Sequence, residues 1–336
     1  MRSGITVAGN ILLDCIKSIP SYPKPGMLTT IKSINRAVGG SVPNVLLDLA
    51  KMGNDIPLSA VGLTGNDEPA DFITSALSRA GVDTSFVQRT DESSTSFTDV
   101  MSAEDTGERS FFQYRGANAL FSPAHIPLDK LNSRILHIAY LLLLDIFDSE
   151  DSEYGTVMAR FLHDAQQAGI KTSIDVVSDT TGLFAKVVRP ALRYSDYVIM
   201  NEIEACNVFG LPSRDEDGSL LVDNVKEALF AFKREGVRER AVVHCPECGF
   251  CVDENNVFTA VPSFRLPEGY IKGSVGAGDA FCAACLRSVY FGRPAEEMLS
   301  FAAAAAAANL SAADSVSGMK SEEELYTMMK TLPVRN

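Results

Sequence analysis

Residues 272–281, KGSVGAGDAF, decide how the rest of this sequence is interpreted. Small residues lead directly into an acid, Asp279, and a long apolar, alanine-rich segment follows as far as Tyr290. This profile predicts a tight loop that feeds the N-terminus of a helix. Gly276 and Gly278 carry no Cβ, so the backbone there can approach a ligand closely. We therefore expect a loop whose free amides receive a negatively charged group.

An acid at the end of this loop is unexpected, because a carboxylate repels a bound phosphate. Asp279 avoids the conflict if it faces a partner molecule, where it can accept the proton of an attacking hydroxyl. The stretch thus indicates phosphoryl transfer, with Asp279 as general base. The backbone amides from Gly276 through Ala277 and Gly278 to the acid would form an anion hole. A glycine-rich turn that merely caps a helix explains the loop about equally well.

The composition describes a globular protein with a net negative charge. Of the 336 residues, 46% are hydrophobic and 22% are charged, which is enough for a large core. The formal net charge of −13 argues against nucleic acid or an anionic membrane as a partner. No apolar run approaches the ~20 residues of a membrane span. No secretory signal is visible, and the cysteine count is odd, so we expect a cytoplasmic location.

Strand-like and helix-like segments alternate along most of the chain. Strands are predicted at 5–10, 58–62, 135–139, 172–176, 197–200 and 241–244, with helices at 41–52, 67–80, 152–168, 183–192 and 222–234. A hairpin of 250–253 with 257–260 and helices that begin at Ala277, Pro294 and Ser321 complete the chain. Such alternation implies a mainly parallel sheet covered by helices on both faces. We therefore predict a three-layer α/β/α fold in one domain, 1–336.

Two β-like regions, at about 15–36 and 95–115, do not fit this alternation. Prolines interrupt the first region, and the second has a polar turn at 104–107 between two strands. We predict that the two regions form a small antiparallel β lid over one end of the sheet. Exposed lid strands can also pair with a second copy of the chain, which leaves a homodimer through the lid as one alternative.

Four separated motifs occur in a fixed order along the chain. They are GGSVPN at 39–44, NEIE at 201–204, a strand and turn at 241–249, and GAGD at 276–279. In this order and spacing the chain resembles the ribokinase-like carbohydrate kinases, also called the PfkB family, over nearly its whole length. The resemblance implies an α/β core with a β lid, ATP as phosphoryl donor with Mg²⁺, and a sugar hydroxyl as acceptor.

The resemblance also implies roles for individual residues. Asp279 matches the family's catalytic base, and the three residues before it match the anion hole. The residues that match sugar-binding positions are Asn10, Asp14, Gly40 and Asn44. Asn201 and Glu204 match the motif that organises Mg²⁺ and phosphate, largely through water, which suits the preference of Mg²⁺ for oxygen ligands and retained waters. Phosphoryl transfer needs mostly positioning and charge stabilisation, which such residues supply.

The sequence departs from the family pattern in two places. His244 and Pro246 stand where the family has the Thr and first Gly of a nucleotide-binding turn, and only Gly249 remains there for nucleotide contact. Proline also lacks an amide donor, so the preferred nucleotide donor is left open. Gly273 stands where the family often has an Asp linked to monovalent-cation activation. We therefore expect little dependence on K⁺.

Two further groups of residues have alternative interpretations. Cys245, Cys248 and Cys251 lie beside His244 in a spacing that metal sites use, although buried thiols explain them better because strand residues alternate sides. Arg115, at the end of the lid, is either a surface cation or a clamp for a substrate carboxylate, as in the kinases of 2-keto-3-deoxygluconate, which have a similar Tyr-x-Arg. The alternatives to a sugar kinase are a kinase of a sugar acid or a nucleoside, and a sugar- or nucleotide-binding protein with impaired catalysis.

Overall fold

The described residues of this computed structural model, 2–178 and 182–335, form strands and helices that alternate over most of the chain. The strands are β1 (Ile5–Gly9), β2 (Leu12–Ile19), β3 (Ser33–Gly39), β4 (Leu58–Gly65), β5 (Asp83–Thr90), β6 (Ser96–Ala103), β7 (Arg109–Tyr114), β8 (Ile135–Leu141), β9 (Glu150–Asp151), β10 (Gly155–Thr156), β11 (Lys171–Val176), β12 (Tyr197–Asn201), β13 (Arg240–His244), β14 (Cys248–Val252) and β15 (Phe258–Pro262). The helices are α1 (Ser41–Met52), α2 (Glu68–Arg79), α3 (Val157–Gln167), α4 (Phe184–Leu192), α5 (Glu202–Val208), α6 (Val222–Glu235), α7 (Ala277–Tyr290), α8 (Ala295–Asn309) and α9 (Glu322–Thr331). None of these helices is long and apolar enough to cross a membrane.

A nine-stranded sheet forms the centre of the fold, in the order β15-β14-β13-β12-β11-β8-β1-β4-β5. All neighbours from β13 to β5 are parallel, and β14 and β15 add an antiparallel hairpin at one edge. The carboxyl ends of the parallel strands therefore meet along one edge of the sheet. Open α/β sheets bind their ligands at this edge.

Two apolar layers cover the sheet, as a three-layer fold requires. Helices α1, α2, α7, α8 and α9 pack on one face, and α3, α4, α5 and α6 pack on the other. The strand residues alternate accordingly: Ile199 of β12 faces the first layer, whereas Val198 and Met200 face the second. The alanine-rich run 302–308 lies in α8, where small side chains let the helix approach α7 closely.

A second sheet of four strands, β3-β2-β6-β7, forms the lid. Its outer pairs, β2 with β3 and β6 with β7, are antiparallel, and the central pair of β2 with β6 is parallel. Because only two residues separate the end of β1 from the start of β2, the lid starts at the carboxyl edge of the central sheet. The lid therefore lies where ligands are expected to bind.

The structure corrects some predicted boundaries. Strand β5 was not predicted, because its polar sequence forms an exposed edge of the sheet and lacks the apolar pattern of a buried strand. The first lid region forms strands only at 12–19 and 33–39, since the prolines interrupt it. Helix α3 begins at Val157 rather than near residue 152, because a short hairpin of β9 and β10 precedes it.

Candidate functional site

Asp279 lies in the first turn of α7, and two side chains hold its carboxylate. Tyr140 donates a hydrogen bond from Oη to Oδ1 at 2.7 Å, and Asn44 donates from Nδ2 to Oδ2 at 2.9 Å. Burial raises the pKa of Asp279, although both hydrogen bonds act to lower it. Each carboxylate oxygen keeps a further lone pair, so the side chain can still accept a proton from a ligand.

The loop before α7 turns through a left-handed glycine. Gly276 has a φ of +80°, and a Cβ at this position would collide with the backbone of Ser315. Among the described residues, no acceptor in the chain takes the amide of Gly278 or that of Asp279. The amide of Ala277 makes only a long contact of 3.4 Å with the carbonyl of Ser274. Free amides at the start of a helix attract anions, so the loop has the chemistry of an anion hole.

Asn10, Gly40 and Asn44 converge beside Asp279. Gly40 caps α1 with a φ of +83°, and a Cβ there would lie 2.5 Å from the carbonyl oxygen of Asn10. Both polar atoms of the Asn10 side chain and Oδ1 of Asn44 are buried without a partner in the described part of the chain. Leaving such atoms unpaired is unfavourable, so this cluster suits a ligand that is rich in hydroxyl groups.

Asp14, on lid strand β2, faces the same region. Burial raises its pKa to about 7, a hydrogen bond with Thr98 lowers it, and the nearby charge of Asp279 raises it further. Asp14 lines a small cavity together with Arg109 of β7 and Asp314. The lid thus brings the carboxyl group of Asp14 and the guanidinium group of Arg109 to the same small cavity.

A larger cavity of about 470 Å³ lies on the other side of Asp279, at the carboxyl edge of the sheet. Phe111 and Val275 line both cavities, so the two adjoin. The polar residues that line the larger cavity include Tyr140, Asp175, Ser178, Asn201, Glu204, His244 and Asp279. No Lys or Arg lines it among the residues that the structure describes. A polyphosphate in this cavity would therefore depend on backbone amides and a bound cation for charge compensation.

Asn201 and Glu204 meet at the start of α5 in a reciprocal capping arrangement. Asn201 Oδ1 accepts from the amide of Glu204 at 2.9 Å, and Glu204 Oε2 accepts from the amide of Asn201 at 3.0 Å. Ser178 donates to Glu204 Oε1 at 2.8 Å. Burial raises the pKa of Glu204 to about 7. Oxygens that already accept one hydrogen bond retain capacity for water, and this donor set fits a hydrated Mg²⁺.

The last residue of β13, His244, lines the larger cavity. The ring of His244 packs on Phe281 with centroids 4.8 Å apart and lies close to Gly278 of the anion loop. Burial lowers the pKa of His244 to about 4, so the ring is neutral near pH 7. Gly249 lies inside β14, where a Cβ would approach Leu299 to 3.2 Å. Gly249 does not line the larger cavity, and its backbone lies against Leu299 of α8 and Phe281 of α7 instead.

Arg115 is also not brought to either cavity. Its Nη1 lies 2.9 Å from Oδ1 of Asp145, and its Nη2 donates to the carbonyl of Leu142 at 3.5 Å. The carboxylate clamp predicted for Arg115 therefore has no counterpart in this arrangement. Arg109 is the lid arginine that lines a cavity.

The cysteines near residue 248 are divided between the two faces of the sheet. Cys251 belongs to the apolar layer with α7, whereas Cys245 and Cys248 belong to the opposite layer. The thiols of Cys245 and Cys248 donate to the carbonyls of Cys248 and Val261 at 3.2 and 3.1 Å. The three sulfur atoms therefore cannot share one metal ion. Gly273 lies against the carbonyls of Ala312 and Ala313, which leaves little room for a larger side chain.

Sequence reasoning missed Tyr140, Asp175 and Ser178. All three lie at the carboxyl ends of the central strands β8 and β11, and all three line the larger cavity. The rule that ligands bind at this edge could have identified them, since each is a polar residue at the end of an apolar strand.

Known proteins share this architecture. Residues 3–321 match a family described as pfkB family carbohydrate kinase. Ribokinase of Arabidopsis thaliana is 24% identical over 333 residues, which cover 97% of this chain and 81% of that protein. A structure of Arabidopsis thaliana ribokinase complexed with ribose and ATP aligns with a TM-score of 0.77 at 21% identity, covering 98% of this chain and 99% of that chain.

A nucleoside kinase of Methanocaldococcus jannaschii, an archaeal member of the ribokinase family, aligns with a TM-score of 0.74 at 16% identity, covering 98% of each chain. These alignments confirm the predicted ribokinase-like fold with a β lid. Because the family match extends over residues 3–321, nearly all of the sequence, the chain belongs to the pfkB family of carbohydrate kinases.

Proposed function

We propose that this protein transfers the terminal phosphoryl group of ATP to a hydroxyl group of a sugar, with Asp279 as the general base. The observation that carries the proposal is the carboxylate of Asp279, which Tyr140 and Asn44 hold beside free amides at the start of α7. Family membership supports a phosphotransferase with an alcohol acceptor. The Arabidopsis ribokinase that was solved with ribose and ATP supports ATP as the donor.

Asp279 acts on the acceptor hydroxyl. As the hydroxyl oxygen attacks the terminal phosphorus, its proton passes to the carboxylate, and the bond from phosphorus to the bridging oxygen of ADP breaks. No acceptor among the described residues takes the amides of Gly278 and Asp279, so their dipoles would be available to stabilise the negative charge of the transferring group. Tyr140 and Asn44 keep the carboxylate oriented. Each can still donate its hydrogen bond after Asp279 has taken up the proton, because a carboxyl oxygen has more than one lone pair.

Asn201 and Glu204 would hold Mg²⁺ through water at the cavity beside the base. Mg²⁺ supplies positive charge that offsets the charge of the ATP phosphates, and the described lining of this cavity contains no Lys or Arg to do so. The role of this chain is to keep Glu204 in place, which the capping bonds with Asn201 achieve.

Asn10, Asp14, Gly40 and Asn44 form the proposed acceptor site. Asn10 offers one buried donor and one buried acceptor, and Asn44 offers a buried acceptor, which together suit neighbouring sugar hydroxyls. Gly40 allows α1 to start close to Asn10, so the two amide side chains face the same space. Asp14 lies on the lid side of this site, beside Gly39.

A sugar acid is the second candidate acceptor, and Arg109 favours it. This arginine lines the small cavity beside Asp14, and none of the ion pairs recorded between described residues includes it. A guanidinium in that position can pair with a substrate carboxylate. By contrast, Arg115 already pairs with Asp145.

The two arginines provide a matched test of the acceptor's charge. If the acceptor carries a carboxylate, Arg109→Met should lower kcat/KM about 10- to 100-fold for that acceptor, as expected for a lost charge-assisted contact. Arg115→Met should have a much smaller effect. Equal losses on neutral sugars and sugar acids would exclude a carboxylate contact by Arg109.

The proposed function is tested by ADP release with Mg-ATP over a panel of pentoses, hexoses, keto-sugar acids and nucleosides. We expect one class of acceptor to stimulate ADP release well above the rate without acceptor, and mass spectrometry should detect the phosphorylated product. A preference for nucleosides would place the chain with the nucleoside kinases. No stimulation by any class, together with sugar or nucleotide binding, would favour the binding protein with impaired catalysis.

A further inference from the structure

Three buried side chains of different elements meet behind the proposed base. His137 of β8, Asp175 of β11 and Cys282 of α7 each offer one ligand atom, and these atoms all lie within 4.8 Å of one another. All three residues are at most 6% exposed. The mechanism proposed for phosphoryl transfer uses none of them.

The spacing of these atoms resembles that of metal ligands. The Nε2 atom of His137 lies 3.6 Å from Sγ of Cys282 and 3.5 Å from Oδ2 of Asp175. Tetrahedral zinc with ordinary bond lengths places neighbouring N, O and S ligands about 3.3 to 3.6 Å apart. The third pair, Asp175 and Cys282, lies within 4.8 Å, so an ion would bind if these two side chains moved toward each other.

The orientation of His137 also fits a ligand. Its Nδ1 lies 2.9 Å from Oγ of Ser173, which is itself fully buried. A hydrogen bond at Nδ1 fixes the ring and directs Nε2 toward Asp175 and Cys282. Metal-binding histidines are held in this way by a partner on the other ring nitrogen.

Asp175 supplies a second, independent observation. Its Oδ1 atom is buried and has no hydrogen-bond partner within the described residues, although buried carboxylate oxygens are normally paired. A cluster held together by hydrogen bonds alone leaves this oxygen unsatisfied. A cation between Asp175, His137 and Cys282 satisfies it when the carboxylate contacts the ion through Oδ1 or through both of its oxygens.

The cluster is accessible from the larger cavity, because Asp175 and Cys282 both line it. A fourth coordination position can thus be filled by water or by an anionic oxygen from the cavity. The carboxylates of Glu204 and Asp279 line the same cavity and favour a cation there.

We propose that His137, Asp175 and Cys282 bind one Zn²⁺ ion per chain, with an open coordination position toward the cavity. A nitrogen, oxygen and sulfur donor set suits a borderline-soft ion such as Zn²⁺, whereas Mg²⁺ selects oxygen ligands. The site is therefore distinct from the proposed Mg²⁺ position at Asn201 and Glu204. It does not depend on the kinase activity.

The test uses the full chain, stripped of metal and then dialysed against Zn²⁺ with excess Mg²⁺ present. We expect one equivalent of Zn²⁺ per chain by elemental analysis. Binding should weaken by more than about 100-fold in Cys282→Ala, since the loss of a ligand should exceed the 10- to 100-fold effect of losing an outer partner. Cys285→Ala is the matched control, because Cys285 is buried in the next turn of α7 but lies outside the cluster. This control should bind like the wild type.

Cobalt provides a readout that does not require a variant of the site. Co²⁺ bound to the wild type should give a thiolate-to-cobalt charge-transfer band, and the band should persist in Cys285→Ala. Absence of stoichiometric Zn²⁺, absence of the thiolate band, or equal loss of binding in both cysteine variants would overturn the proposal. Asp279→Asn should still bind Zn²⁺, so failure of the kinase assignment and failure of the metal site can be distinguished.

Discussion

In the proposed site, the acceptor half (Asn10, Asp14, Gly40 and Asn44) and the nucleotide half (Asn201 and Glu204) use polar side chains in opposite ways. Within the described part of the chain, the buried side chain of Asn10 in the acceptor half has no partner, and Asn44 uses only one of its two polar atoms. In the nucleotide half, Asn201 and Glu204 satisfy each other. The acceptor half thus keeps its groups ready for direct contact with a ligand, whereas the nucleotide half presents oxygens that suit an intermediary such as a hydrated cation.

Asp279 lies between the two halves, and its replacement should have the largest effect. Asp279→Asn should lower kcat by about 100- to 10,000-fold, because an amide cannot accept the proton of the acceptor hydroxyl. The fold should persist, since the amide of Asn44 can rotate and present its unpaired Oδ1 to the new side chain. Steady-state kinetics and thermal unfolding would measure both effects.

Tyr140→Phe is the matched control for this replacement. It removes one hydrogen bond to the carboxylate but leaves the base in place, so a loss of about 10-fold in kcat is expected. If Asp279→Asn retained as much activity as Tyr140→Phe, the assignment of the base would be wrong.

In the nucleotide half, the buried carboxylate of Glu204 should make the free energy of unfolding depend on pH. Because burial raises the pKa of Glu204 from 4.5 to about 7, the folded chain binds a proton more tightly than the unfolded chain does. The contribution of Glu204 to the free energy of unfolding therefore falls between about pH 4.5 and pH 7, by roughly 3 kcal/mol. Glu204→Gln should remove this fall.

Urea unfolding of the ligand-free protein at pH 5 and pH 8 measures the effect. The difference in unfolding free energy between the two pH values should change more in Glu204→Gln than in Glu202→Gln, the matched control on the same helix. Glu202 is paired with Arg214 and does not line the cavity. An identical response of both variants would contradict the role of burial at Glu204.

The smallest expected effects come from single replacements in each half, and each replacement should affect the ligand of its own half. Asn10→Ala should raise KM for the acceptor about 10-fold, with little change in KM for Mg-ATP, because hydrogen bonding of this side chain to a sugar hydroxyl is lost. Asn201→Ala should instead raise the Mg²⁺ concentration that half-maximal activity requires. Titrations of each substrate and of Mg²⁺ would measure these effects. The reverse pattern would show that the acceptor and nucleotide positions had been assigned the wrong way round.

The sequence predicted the features that depend on local backbone requirements. The glycines at 276 and 278 and the acid after them indicated the anion loop, and the loop indeed opens α7. The reciprocal caps of Asn201 and Glu204 were not predicted, although they also join residues three apart. The loop before α7 was predicted correctly because the backbone requirements that shape it lie within one turn.

Features that depend on distant contacts were not predicted. Tyr140 and Asp279 are 139 positions apart in the sequence, so no local sequence pattern predicts the hydrogen bond between them. The partner of Arg115 is Asp145, which belongs to a loop that the alternation of strands and helices does not describe. His137, Asp175 and Cys282 belong to three elements, so only the strand order brings them together.

The lid and α7 differ in how firmly they are embedded. Every residue of α7 from Asp279 to Val289 is buried, whereas Phe111 and Phe112 of the lid are more than half exposed. Random mutagenesis confined to lid positions such as Arg109 and Phe111 can thus alter acceptor choice without disturbing the base. In this architecture, a change of acceptor during evolution requires substitutions only in the exposed strands of the lid.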